Sequence, residues 1–123
     1  MLIDSSVLID ALRDAPGAIP FLADVMYEGV LHGSVVAKAE VLGGMLPREA
    51  ADTHDLLGIV VWHDVTDPVA EQAGRLGQQY RRSHTGISVS DLLIAATAMT
   101  LDLPLATRNV KHFPMFPDLR PPY

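Results

Sequence analysis

The chain contains no cysteine. Disulfides and thiolate metal sites are thereby excluded, and a reducing cytoplasm is the setting that fits. Basic residues are few, with 9 Lys and Arg against 15 Asp and Glu and a formal net charge of −6. A surface of that sign does not coat nucleic acid passively. It leaves room for an enzyme acting on nucleic acid, because carboxylates gathered around a cation add negative charge while the cation restores attraction to phosphate. Aromatic residues are sparse, and the single tryptophan, Trp62, reads as core or interface rather than a base-stacking platform. No apolar run reaches the length of a membrane span. Asp4 interrupts the N-terminus before a signal-peptide core can form. Internal repeats, low-complexity segments and linkers are also missing. What is there is a 123-residue chain, 49% apolar, long enough to bury one core as a single domain over 1–123.

Short apolar strands alternate with helical patterns. Met1 to Ile3 is a very short strand, and Ser5 or Ser6 is placed to cap the helix that follows. Helical spacing then predicts Ile19 to Glu28, closed by Gly29. Val30 to Gly33 is a second strand, and Ser34 caps a helix to about Met45. Pro47 suits the first turn of a helix to about Leu57, and "IVVWHDV" over Ile59 to Val65 is the clearest strand. Asp67 reads as the cap of a helix with Pro68 at its first position, running to a basic end at Arg81 and Arg82 and stopped by His84-Thr85-Gly86. Ser88 to about Leu101 is strongly apolar and helical, and Leu103 to Thr107 is the last strand. This alternation implies an α/β fold with a mainly parallel central sheet.

Residues just beyond the C-terminal ends of parallel strands gather along one sheet edge, where ligands bind. Asp4 lies past the first strand, and Thr107, Arg108 and Asn109 lie past the last. Glu40 interrupts the apolar helix "SVVAKAEVLGGM", and Asp91 sits in the first turn of "SVSDLLIAATAMTL". Each has a purely local reading as well. Asp4 can cap the next helix, Glu40 can face solvent, Asp91 can form a capping box with Ser88, and Asn109 is an ordinary turn residue. Taken together, carboxylates converging on one edge require a cation or raised pKa values to coexist. Oxygen ligands suit a hard ion such as Mg²⁺ or Mn²⁺, which is suited to phosphodiester hydrolysis. The five histidines are scattered and show no helical i, i+4 pair. Asp10, Asp14 and Asp24 read as solvated acids. Arg81, Arg82 and Arg108 can contact RNA phosphates or simply end helices in solvent.

Four stretches occur in order: "LIDSSVLID", "AEVLGG", "SVSDLLIAATA" and "LATRNVKHF". Together they resemble the PIN domain, specifically its VapC-type toxin branch, over essentially the whole chain. The resemblance implies a three-layer α/β/α, Rossmann-like fold with a short-stranded, mainly parallel sheet. It implies a Mg²⁺- or Mn²⁺-dependent endoribonuclease neutralised by a small antitoxin, usually in a homodimer or a higher toxin–antitoxin assembly. DNA would be met only through the antitoxin, and no membrane is involved. Asp4, Glu40 and Asp91 match the family's first three acids, and Ser6 matches the hydroxyl residue supporting the first. At the fourth acidic position this chain offers Asn109, with His112 three residues on. One ion on three carboxylates is therefore expected, with Thr107 and Asn109 orienting water or substrate.

Two other functions are open to this sequence. An aspartyl-phosphate enzyme would use Asp4, but its usual second aspartate is replaced by Ser6. A PIN domain that only binds a partner, within a repressor complex, is favoured by the missing fourth acid. The antitoxin surface is expected on the first helices, around Leu12, Phe21, Leu22 and Met26, residues that suit an intramolecular core equally well.

Overall fold

In a computed structural model describing residues 1–123, four parallel strands carry the molecule: β1 (Leu2–Ile3), β2 (Leu31–Ser34), β3 (Val60–His63) and β4 (Leu105–Ala106). Their order is β3-β2-β1-β4. The chain thus steps outward from β1 through β2 to β3, then returns to place β4 on the opposite side of β1. The reversal point lies between β1 and β4, and the crevice beyond their C-terminal ends is the expected binding position.

Six helices cover the sheet: α1 (Ser5–Leu12), α2 (Ala18–Glu28), α3 (Val35–Gly43), α4 (Ala50–Gly58), α5 (Asp67–Tyr80) and α6 (Val89–Thr100). Successive strand residues point to opposite faces, so each two-residue strand feeds two cores. Leu2 and Leu105 join Val69, Leu76, Ile94 and Phe113 on one side. Ile3 and Ala106 join Val7, Leu8, Leu22 and Leu57 on the other. Between them, α3 sends Ala37 into the first core and Val41 into the second. It packs against both α1 and α6, and this position brings Glu40 between the N-terminal ends of the other two helices.

The strands are shorter than their apolar runs suggest. β4 is only two residues because β1 offers two partners, Leu2 to Leu105 and Ile3 to Ala106. β3 spans Val60 to His63 and not Ile59 to Val65, because Ile59 ends α4 and β2 pairs with four residues only. Pro47 starts a 3-10 turn, Pro47–Glu49, with α4 following it. Thr66, not Asp67, caps α5, its hydroxyl accepting the Val69 N–H. Trp62 lies between the cores, as its core reading predicts, and its indole N–H donates to the Leu57 carbonyl at 2.9 Å. Gly33 on the adjacent strand must lack a side chain, since a Cβ would fall 2.6 Å from that indole ring.

Candidate active site

Asp4 occupies the cap position of α1 in its backbone, yet its side chain makes no capping bond. Its Oδ2 accepts instead from the hydroxyls of Ser6 at 2.8 Å and Thr107 at 2.7 Å. Each hydroxyl in turn accepts a backbone N–H: Arg108 donates to Ser6 and Asn109 donates to Thr107, both at 3.0 Å. Both hydroxyl protons are therefore committed to Asp4, and the 3.4 Å contact between the two oxygens is packing. Asp4 is 3% exposed, so these donors replace most of the water it loses on folding. The second oxygen, Oδ1, has no hydrogen-bond partner in the protein. The local-cap reading of Asp4 thus fails, and neither Ser5 nor Ser6 caps α1, since both lie inside it.

Glu40 approaches from α3. Its Oε1 accepts from the Ser5 hydroxyl at 3.2 Å, leaving Oε2 without a protein partner. Partial burial of the carboxylate raises its pKa, and the negative charges of Asp4 and then Asp91 push the same way; the Ser5 hydrogen bond acts in opposition. Although the residue is open to solvent overall, its carboxylate shares an electrostatic field with the other two acids.

Asp91 fulfils its local reading and is available for more. Its Oδ2 accepts the Ser88 N–H at 3.0 Å while its own N–H goes to the Ser88 hydroxyl at 3.1 Å, completing a capping box on α6. His112 faces the same oxygen, its Nδ1 3.2 Å away. Oδ1 again has no hydrogen-bond partner in the protein. His112 comes from a 3-10 turn, Val110–His112, and sequence reasoning did not count it as a site residue. Its only signal was its place three residues beyond Asn109.

A family model for the PIN domain matches residues 1–115. The chain belongs to the PIN-domain family. This PIN domain is 45% identical to ribonuclease VapC19 of Mycobacterium tuberculosis, an alignment covering 99% of this chain and 98% of that protein. It is also 45% identical to ribonuclease VapC10 of the same organism, covering 100% of this chain and 92% of the relative. Among solved structures, a toxin–antitoxin complex from Klebsiella pneumoniae contains a chain with a TM-score of 0.79 at 26% identity, covering 99% of this chain and 97% of that one. A VapBC2 complex from Rickettsia felis shares the fold, with a TM-score of 0.81 at 20% identity over 96% and 93% of the two chains.

The remaining expected site residues divide. Asn109 caps the 3-10 turn, its carbonyl accepting the His112 N–H at 2.9 Å, but its side-chain amide hydrogen bonds to none of the three acids. Arg108 is engaged elsewhere. Its guanidinium stacks on Tyr123 with 4.6 Å to the ring centroid, bonds the Tyr123 carbonyl, and lies 3.7 Å from Asp10. Asp10 is therefore no free surface acid, and it also accepts from the Tyr123 hydroxyl at 2.8 Å. Burial, then this hydrogen bond, raise the Tyr123 pKa. Arg81 and Arg82 are exposed at the end of α5 and line a 660 Å³ cleft between α5 and α6. The histidines are less scattered than their spacing suggests, for strand register brings His32 Nδ1 within 2.9 Å of His63 Nε2.

No group of three or more His, Cys, Asp or Glu side chains is disposed to hold a metal ion as it stands. The three carboxylates are near enough to raise the Glu40 pKa yet do not form a closed cage. The donors themselves are all oxygens, and each acid keeps one oxygen free. That chemistry fits a hard, partly hydrated divalent ion.

On the far side of α1, Leu12, Ile19, Leu22, Met26, Leu56 and Ile59 line an apolar groove of 350 Å³ with Asp14 and Asp52 also on its walls. Leu22 is core as well as groove, and Phe21 turns away to pack against Tyr123.

Proposed function

We propose that this PIN domain is a VapC-type toxin, an endoribonuclease dependent on Mg²⁺ or Mn²⁺ and neutralised by a small antitoxin. One observation carries the reading: Asp4, Glu40 and Asp91 each have one oxygen tethered by protein donors and the other left unpartnered. The three also come near enough for Asp4 and Asp91 to act on the Glu40 carboxylate, so their free oxygens share one negative field. The ribonuclease names of relatives 45% identical over the full chain support RNA as the substrate.

Asp4, Glu40 and Asp91 are the residues that would hold the ion, which supplies polarisation of the phosphodiester and a water of lowered pKa. The protein's share is positioning. Ser6 and Thr107 fix Asp4 against the sheet edge, Ser5 draws Glu40 toward α1, and the α6 cap fixes Asp91. The Ser6 and Thr107 hydroxyls donate to Asp4 and the Ser5 hydroxyl donates to Glu40, so all three serve as tethers for the acids. Hydrolysis by water with no covalent enzyme–RNA species is expected, and trapping such a species would overturn it. Arg81 and Arg82, free of partners, suit RNA phosphates better than Arg108 does.

The apolar groove beside α1, α2 and α4 suits an amphipathic segment of the antitoxin, with Asp14 and Asp52 placed to meet basic residues. A second reading, a PIN domain that binds its partner without cutting RNA, is favoured by the open arrangement of the acids. Incubation of varied RNAs with Mg²⁺ decides between them. Cleavage by the wild type that is lost in Asp4→Asn and Asp91→Asn supports the enzyme. No cleavage by the wild type, with no divalent ion raising its Tm, supports the binding protein.

A further inference from the structure

We propose that His112, three residues beyond Asn109, is a positioning residue for Asp91. The inference rests on Asp91 being a ligand in the proposed site. A capping box alone ties Asp91 to its own helix, through the Ser88 N–H on Oδ2. His112 Nδ1 meets the same oxygen at 3.2 Å from a different element. With Oδ2 held from two sides, rotation of the carboxylate is blocked and Oδ1 becomes the oxygen on offer.

His112 is itself well placed for this work. Its N–H is bound by the Asn109 carbonyl at 2.9 Å, and the next residue, Phe113, is 1% exposed in the core. Its ring lies over Gly86, with Nε2 3.6 Å from where a Cβ would stand. Gly86 has a φ of +85°, a backbone state that glycine adopts without strain, in the loop leading to Ser88. At the other end of the same short segment, Thr107 holds Asp4 at 2.7 Å. The stretch from Thr107 to His112 therefore touches two of the three acids and sets their separation across the crevice. Asn109, between them, shapes the turn.

The test compares His112→Ala, His112→Asn and His112→Gln by Mn²⁺ titration of the RNA-free protein, followed by EPR, with Tm measured in chelator. An asparagine amide nitrogen takes the position of Nδ1, whereas a glutamine amide reaches that of Nε2. Loss of a ligand's partner weakens metal binding by about tenfold or more, so His112→Ala and His112→Gln should show that loss while His112→Asn stays within about threefold of wild type. Equal weakening of the Asn and Gln variants, or an unchanged Mn²⁺ affinity in His112→Ala, overturns the proposal and leaves His112 as a structural tie. Asp91→Asn separates the two levels. If it loses Mn²⁺ while His112→Ala does not, only the positioning role fails; if it binds like wild type, the ligand reading fails and this proposal with it.

Discussion

Asp4 and Asp91 face the same crevice but are held in opposite ways. Asp4 is buried, and two hydroxyls from residues far apart in sequence, Ser6 and Thr107, converge on one of its oxygens. Asp91 is partly exposed and is held first by its own helix cap, then by a single side chain, His112. The Asp4 end is a rigid part of the fold, since the groups that fix it also satisfy the backbone after β4. The Asp91 end is held at a helix terminus, nearer to solvent and with a single side chain from another element.

The largest expected effect comes from removing the rigid ligand's charge. Asp4→Asn keeps an oxygen for both hydroxyls, so the fold should persist while RNA cleavage falls by roughly a hundredfold or more. Gel assays with circular dichroism on the same preparation check both halves. Next comes the contrast of Thr107→Val with Ser88→Ala. Thr107→Val leaves a buried carboxylate without one donor and the Asn109 N–H without its acceptor, which should cost about 1–3 kcal/mol. Ser88→Ala removes an exposed cap and should cost about 0.5–2 kcal/mol. Urea unfolding of the two variants measures the difference, and a costlier Ser88→Ala would reverse the assignment of the rigid end.

The smallest effect concerns Glu40, between the two ends. Its raised pKa means that the folded state holds the proton more tightly than the unfolded chain. Stability therefore declines as pH rises from the unfolded carboxylate value through the higher folded value. At neutral pH the ionised Glu40 weakens the fold. Because the residue is largely exposed, screening limits the penalty to a few tenths of a kcal/mol, or about 1–2 °C in Tm for a chain of this size. Glu40→Gln should raise Tm by that amount in chelator and lose the Tm increment that Mg²⁺ gives the wild type. Scanning calorimetry across pH 4 to 8 reads both changes, the wild-type minus variant difference isolating this residue.

Much of this site is legible in the sequence because parallel α/β order predicts which residues leave the strands at the same edge. Asp4, Thr107 and the acids on the two later helices come from that rule together with the four quoted stretches. The rest depends on partners that no spacing reveals. A serine or aspartate near a helix start looks like a cap in sequence, and only the fold shows that Asp4 turns from the helix to Thr107. Asn109 stands out in sequence because it follows the strand directly, whereas only the 3-10 turn that its carbonyl closes shows that His112 is carried to Asp91. Asp10 looks like surface until Tyr123, at the other end of the sequence, returns to it. The His32–His63 contact is a matter of strand register, set by pairing β2 with β3 and not by any local pattern.

In the proposed function Asp4, Glu40 and Asp91 act together to hold a divalent ion that RNA cleavage requires. It is tested most directly by mapping RNA cleavage ends with Mg²⁺ and with chelator, for the wild type and Asp4→Asn side by side. Discrete ends produced by the wild type only with Mg²⁺, and absent from Asp4→Asn under both conditions, are the predicted result. The same ends from Asp4→Asn, or from the wild type in chelator, would contradict it.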